Sequence, residues 1–447
     1  MSLSGTGARR MAHSLRALRH RNFRLFTAGQ TISLIGTWMQ QVAIGWLVYR
    51  LTSSPLLLGI VGFVAQGPTF FPAPLAGVLA DRHDKRRIIL VTQALMMGQA
   101  LGLGALVLSG RVTIGWIVLL MSLLGATIAF DIPARQAFLI EMVRDRDDLP
   151  NAIALNSSMF NAARLVGPAI AGVAIALVGE GWVVLLNGIS YLAVITSLLL
   201  MRFEQPPARS AGGRMLGHMA DGFRYAFGFP PIRVVLTHVA VVSLFAVPFT
   251  VLLPLVAGET LQGGPETLGF LMSAIGLGAL TGAFYLAGRS SVRGLGRVIV
   301  TATVLFGAGL LAVSVSRVLW LSVLCLGVAG FGMMAQMASS NTVLQTIVDD
   351  DKRGRVMSIY TMAFIGISPI GSILAGLAAD RIGANATIGL GGAVCLGAAV
   401  FFAFRLPLIR HHVRPIYQRL GILPEVAQGI QAATHQAPTR GPGPARR

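Results

Sequence analysis

Apolar residues in this 447-residue chain run in long stretches, separated by short clusters of arginine, aspartate, glycine and proline. A helix that crosses a bilayer needs about 20 largely apolar residues at about 1.5 Å rise each. Divided at its charges and turn residues, the chain yields twelve such segments: 25–49, 56–79, 88–109, 112–134, 151–178, 182–201, 233–257, 267–288, 298–316, 318–346, 356–379 and 385–405. The pattern predicts an all-α membrane protein of twelve transmembrane helices. The first run, Leu25 to Tyr49, is longer than a signal-peptide core and no small-x-small cleavage site follows it, so it is expected to stay as a spanning helix. An even number of spans puts both termini on one side.

The longest polar interruption, 202–232, divides the spans six and six and is rich in arginine, glycine and proline. The expected organisation is a basic arm (1–24), a six-helix bundle (25–201), a linker (202–232), a second six-helix bundle (233–406) and a basic, disordered tail (407–447). Within the linker, Met215 to Phe229 alternates at helical spacing and is expected to lie along the membrane surface. The halves echo one another. Gly167-Pro168 with Gly172 in span 5 parallels Pro369, Gly371 and Gly376 in span 11, and Leu79-Ala80-Asp81-Arg82 parallels Leu286-Ala287-Gly288-Arg289. Such pairing favours a parallel duplication, as in transporters that rock two halves about a midplane site.

Composition supports this picture and removes others. Soluble domains carry about a quarter of their residues as charge; here the fraction is 12%, against 54% apolar. Mean hydropathy is +0.71. The net charge of +19 is mostly topology. Of 36 cations, 30 fall on the side that holds both termini and four on the other, with Arg135 and Arg164 left inside spans. By the positive-inside rule the termini are expected to be cytoplasmic. The excess cations favour contact with anionic lipid and need no nucleic acid. Cys325 and Cys395 lie in apolar runs and offer neither a disulfide framework nor a metal cluster. No Gly-Lys pair exists, so there is no Walker A loop. No hydrolase motif is present either. The reading is therefore of a non-enzyme without metal or cofactor, which draws energy from a gradient or a partner.

Gly77-Val-Leu-Ala-Asp81-Arg82-His-Asp84-Lys85-Arg86-Arg87 occupies the turn between spans 2 and 3. There Gly77 allows close helix contact and Asp81 is placed to latch onto a neighbouring helix end. The segment resembles the cytoplasmic signature of the major facilitator superfamily, with Asp84 where glycine is usual. Span 5 resembles that superfamily's antiporter motif: Gly167, Pro168 and Gly172 match, and Ala163 and Ala171 stand in place of glycine. Asp131-Ile-Pro133-Ala-Arg135-Gln136-Ala137, with Asn151 to Ser157 and Phe160 to Arg164, is similar to the branch containing enterobactin exporters and macrolide efflux proteins. The resemblance implies two pseudo-repeated six-helix bundles and export by exchange, with Gly77, Asp81, Arg82, Arg86, Gly167, Pro168 and Gly172 as the conformational motif.

Ionisable groups inside a bilayer are costly and face a cavity or a partner. Asp131 and Arg135 stand i,i+4 on one face of span 4, with Thr127 a turn earlier. Two readings stay open: Asp131 carries a proton, or the two residues form a structural or gating ion pair. Arg164 lies roughly 20 Å into span 5 at 1.5 Å per residue, with Asn161 and Pro168 on its face; it either meets an anionic or catecholate-like substrate or pairs with Asp131. If the superfamily fold holds, spans 1, 4, 7 and 10 line a cavity. That draws attention to Gln40 and Gln41 beside Trp38, to Asn161 and Arg164, and to Met337 and Asn341. Methionines with neutral amides suit a bulky, variable ligand. For each one, ordinary helix packing is the alternative, as it is for the lone His238.

The expected function is secondary export of a small amphipathic molecule (siderophore-, macrolide- or drug-like) by alternating access and proton antiport. The expected partners are that substrate, protons and membrane lipids, and the protein is expected to act as a monomer. The alternatives are a lipid or lysolipid flippase on the same fold, and a non-transporting receptor or scaffold.

Overall fold

Turn chemistry places the helix ends. Ser54 accepts a hydrogen bond from the Leu57 amide at 3.3 Å and is followed by Pro55, the pairing that starts a helix. Asp84, the residue out of place in the sequence signature, accepts from the Arg86 amide at 2.9 Å and caps the next helix. Gly179 and Gly383, at φ 84° and 85°, each turn one helix into the next. They stand at equivalent points of the two halves.

The computed structural model describes residues 15–69, 83–143, 145–202, 224–289 and 291–422, which are helical without any strand. The helices are α1 (Arg21–Thr52), α2 (Pro55–Gln66), α3 (Lys85–Leu108), α4 (Ile114–Met142), α5 (Leu149–Val178), α6 (Glu180–Leu200), α7 (Pro230–Thr260), α8 (Pro265–Ala287), α9 (Leu295–Val315), α10 (Leu319–Ile347), α11 (Arg353–Ile382) and α12 (Ala384–Arg419). Helices α3 to α12 are long and apolar enough to cross a membrane. Helix α1 is long enough at 32 residues, but Gln30, Thr31, Ser33, Thr37, Gln40 and Gln41 make it the least apolar of the long helices. Helix α2 continues into a 3-10 turn at Gly67–Thr69, where its described part ends.

The duplication is visible in the packing. Helix α1 packs on α5 and α6, α3 on α4 and α6, and α2 on α4. Adding six to each number gives contacts that also occur: α7 on α11 and α12, α9 on α10 and α12, α8 on α10. The halves meet through α5 against α8 and α2 against α11, again a symmetric pair. In lipid there is no hydrophobic force between helices, so close approach of small residues carries these contacts. A Cβ built on Gly172 would lie 2.9 Å from Glu266 Cα and 3.1 Å from Gly269 Cα; one on Gly59 would lie 3.1 Å from Gly376 Cα. Both contacts sit at the face opposite the arginine-rich loops. Outward positions such as Leu177 and Phe404 are about four-fifths exposed, as side chains facing acyl tails must be.

Two helices run well past their expected ends, and one is interrupted. Helix α4 runs to Met142, eight residues past the expected end, so Arg135 sits within a continuous helix around Pro133. Helix α12 runs to Arg419, so the tail expected from 407 begins as helix through Pro407 and Pro415. Ile409 and Val413 hold it there by burying against the second half. Helix α7 is interrupted: a 3-10 stretch at Val247–Leu252 and a π stretch at Val256–Thr260 flank Pro254, with Pro248 inside the first. Most of the expected surface helix of the linker lies outside the described residues. Its last turn, 224–228, is helical, and the Tyr225 hydroxyl donates to Asp349 at 3.2 Å.

Candidate transport site

The polar residues of α1 recur at helical spacing and so point to one side. Thr37, Trp38, Gln40 and Gln41 line a cavity of about 300 Å³ between the halves. Its other walls come from α2 (Leu58, Val61, Gly62, Ala65, Gln66), α4 (Met121, Leu124, Ile128), α6 (Asn187, Tyr191), the interrupted part of α7 (Thr250, Val251, Pro254) and α8 (Leu268, Met272). Among the described residues, the lining holds no carboxylate, histidine, lysine or arginine. Gly62 and Gly45 let α7 close over it: a Cβ on either would meet Val251 at 2.8 Å or Pro254 at 3.4 Å. A buried chain of amides backs one wall. Asn187 Nδ2 donates to Gln40 Oε1 at 2.6 Å, and Gln40 Nε2 donates to Gln99 Oε1 at 3.3 Å. Gln41, by contrast, is exposed.

Below this chain lies the charge pair. Asp131 is buried, at 1% exposure, and accepts hydrogen bonds on Oδ1 from Thr92 Oγ1 at 2.8 Å and Gln93 Nε2 at 3.2 Å. Its Oδ2 meets Arg135 Nη2 in an ion pair. Thr127 is buried on the same helix, its hydroxyl donating to the Leu123 carbonyl at 2.7 Å. Arg135 is about a quarter exposed and lies within electrostatic range of the Tyr191 hydroxyl. Tyr191 is also a cavity wall.

Arg164 does not join Asp131. Its guanidinium lies 5.7 Å from the centroid of the Trp38 ring, and Phe160 packs edge-on to that indole at 5.7 Å. Asn161 turns away and donates to the Ser157 carbonyl at 2.9 Å. Met337 is buried in the second half, where its carbonyl accepts from the Tyr360 hydroxyl at 2.9 Å, and Asn341 accepts from Gln345 one turn on. Neither borders the cavity, nor do Asn161 and Arg164. His238 is buried away from it, 3.1 Å from Thr303 Oγ1, its ring centroid 4.9 Å from that of Phe402 and tilted by 51°. Gly167 faces Trp38 of α1, Pro168 is buried, and Gly172 faces α8. Gly77, Asp81 and Arg82 lie outside the described residues. Arg86 donates to the Leu199 carbonyl at 3.2 Å and ties α3 to the end of α6.

The profile of the family described as transmembrane secretion effector matches residues 12–422. The chain belongs to that family, within the major facilitator superfamily. This facilitator is similar to the staphyloferrin A transporter of Staphylococcus aureus, 24% identical over 86% of this chain and 96% of that one. It is similar to the multidrug efflux pump Tap of Mycobacterium tuberculosis, 29% identical over 84% and 91%. It is also similar to macrolide efflux protein A of Streptococcus pyogenes, 24% identical over 85% and 94%. Among solved structures it matches a bacterial homolog of the human lysosomal transporter Spinster in an inward-facing, unoccupied conformation. There the TM-score is 0.65 at 13% identity, covering 89% and 98% of the two chains. A POT family transporter matches at TM-score 0.69 and 10% identity, over 87% and 96%. The protein is thus a multi-pass membrane transporter and not an enzyme.

For this facilitator, Thr92, Gln93, Gln99, Asn187 and Tyr191 were not singled out from the sequence, although they surround the two groups that were. Each is a polar residue in an otherwise apolar helix, the one signal available to find it. The interruption of α7 carried a plainer signal, two prolines six residues apart in one apolar run.

Proposed function

We propose that this protein exports a small amphipathic molecule, of siderophore, macrolide or drug type, across a bacterial cytoplasmic membrane by alternating access in exchange for protons. Both termini lie in the cytoplasm and the working unit is a monomer. The observation that carries the reading is the cavity between the halves, whose amide, hydroxyl and aromatic groups are set among aliphatic walls. Such a lining binds by shape and a few neutral hydrogen bonds and tolerates variety in its ligand. The efflux named for two of the similar proteins supports the outward direction.

Asp131 is the proton carrier in this reading. Ionised, it is held by Thr92, Gln93 and Arg135. Protonation frees Arg135 from its counter-charge and weakens the two hydrogen bonds. That change biases a two-state equilibrium between halves joined by α5–α8 and α2–α11.

The test is accumulation of a panel of siderophores, macrolides, dyes and lysolipids in efflux-deficient cells carrying wild type, Asp131→Asn or empty vector, with and without an uncoupler. Lower accumulation with wild type, abolished by both Asp131→Asn and the uncoupler, is the expected result. Equal export by Asp131→Asn removes Asp131 from the coupling role. Export of lysolipids alone, indifferent to the uncoupler, replaces the reading with a flippase.

A further inference from the structure

Arg164 is a cation without a counter-charge. It stands half-buried in the middle of α5, and among the described residues no carboxylate pairs with it and no hydrogen-bond acceptor receives its guanidinium. Asp131, the carboxylate expected from the sequence as its partner, is occupied by Arg135, Thr92 and Gln93. What Arg164 has instead is the face of Trp38 at 5.7 Å. A cation over an indole recovers about 0.5–2 kcal/mol and leaves the positive charge without an opposite one.

The position matters as much as the deficit. Trp38 is one wall of the cavity, and the backbone of Arg164 and Leu165 borders Gly276 of α8, where a Cβ would meet the Arg164 carbonyl at 2.8 Å. Helix α5 therefore lies on the seam between the halves at Arg164, and the guanidinium, packed on Trp38, is one indole away from a cavity whose described lining carries no charge of its own. A ligand whose apolar body lies in that cavity among Met121, Leu124 and Met272, and whose anionic group extends past the edge of Trp38 to the half-exposed guanidinium, would supply the missing counter-charge.

We infer that Arg164 and Trp38 form the recognition site for the anionic end, a carboxylate or phosphate, of the amphipathic substrate. This rests on the export reading for the identity of the cavity, and it narrows the substrate class to anionic amphiphiles. A planar guanidinium offers two parallel donors to such a group, which an ammonium does not.

The test is direct binding, without gradient or turnover, to the full-length purified protein in nanodiscs of zwitterionic lipid. Calorimetry compares three probes with the same ring and different charge: 2-naphthoate, 2-naphthamide and 2-naphthylmethylammonium. Wild type is expected to bind naphthoate about tenfold or more tightly than the other two, since a hydrogen bond to a charged group carries that much discrimination. Arg164→Gln levels the three, and Arg164→Lys, which keeps the charge, retains part of the preference; thermal melting checks that both variants fold. Equal affinities in wild type overturn the proposal, as does a preference that survives in Arg164→Gln. Discs containing phosphatidylglycerol separate the sources of the anion. Naphthoate binding that weakens there in wild type but not in Arg164→Gln identifies a lipid headgroup; unchanged binding identifies a soluble anion. Loss of export in cells with the naphthoate preference intact would sink the export reading alone, and the converse would sink the anion site alone.

Discussion

Thr92 on α3 donates its hydroxyl to Asp131 on α4 at 2.8 Å, from 39 residues away in sequence. This contact makes the Asp131–Arg135 pair more than a local i,i+4 feature of one helix. The carboxylate is fixed on both oxygens, by α3 on one and by its own helix on the other. Breaking a buried pair from one side leaves the other charge uncompensated, at about 3–5 kcal/mol. Arg135 reaches partial exposure, so the lower end applies here. Asp131→Asn is expected to lower stability by about 3 kcal/mol and Asp131→Asn with Arg135→Gln by clearly less. Denaturation of the purified variants measures this. Export separates the roles: a structural pair recovers transport in the double variant, and a proton carrier does not.

Asn187 and Gln41 both border the cavity, but only Asn187 is spent on the protein. It donates to Gln40 at 2.6 Å within a buried chain that continues to Gln99. Asn187→Leu strands the Gln40 carbonyl and is expected to cost about 1–3 kcal/mol of stability. Gln41 is exposed to the cavity, and Gln41→Leu is expected to stay within about 0.5 kcal/mol of wild type while changing the relative export of the compounds in the panel. Thermal melts beside an export profile check both. A stable Asn187→Leu, or a Gln41→Leu with unaltered profile, contradicts this division.

The bilayer explains how much of this was legible in sequence. It demands some twenty apolar residues per span and sorts arginine to one side, so the helix count and the pairing of halves follow from a pattern with no fold knowledge in it. The same demand makes Asp131, Arg135 and Arg164 conspicuous. It says nothing of partners. Thr92, Gln93 and Asn187 meet their neighbours through packing between helices far apart in sequence, and neutral amides occur in spans without disturbing hydropathy. The methionine and amide row of α10 had the same appearance as that of α1. Only helix rotation separates them: Gln40 and Gln41 border the cavity, and Met337 is buried in the apolar core outside it.

Gly172 and Gly59 hold the halves together at the face opposite the basic loops, where added side chains have no room. Overpacking at such a contact costs about 1–3 kcal/mol. Here that energy can be relieved by separating α5 from α8. Gly172→Leu is therefore expected to open that face and shift the population toward it by about tenfold or more. Spin labels at Leu177 of α5 and Phe270 of α8, in protein with Cys325 and Cys395 replaced by serine, report the distance. A lengthened population in Gly172→Leu is expected, and an unchanged distribution in a folded variant counts against these glycines as the closing contact.

Asp148 gathers the chain's N-terminal approach to the membrane. Buried between α4 and α5, it meets Arg16 Nε at 3.2 Å, Arg19 Nε at 2.9 Å and His20 Nε2 at 2.9 Å. The Ala17 amide adds a bond to Asn151 at 3.0 Å, and Arg19 a second, exposed pair with Asp145 at 2.9 Å. Removing the shared buried carboxylate weakens three contacts at once and leaves Arg19 with only its exposed pair to Asp145. Removing Asp145 deletes one pair already open to water, worth little on its own. Asp148→Asn is expected to release residues 15–20, so that trypsin cleaves at Arg16 and Arg19 several-fold faster in inside-out vesicles. Asp145→Asn is expected to change the rate by about twofold, within the range of an exposed pair. High salt should narrow the gap between wild type and Asp145→Asn, because it screens exposed charges much more than buried ones. Cleavage equally slow in wild type and Asp148→Asn would mean that the apolar packing of Ala17 and Phe23 on α4 anchors the segment and that its ion pairs merely accompany it.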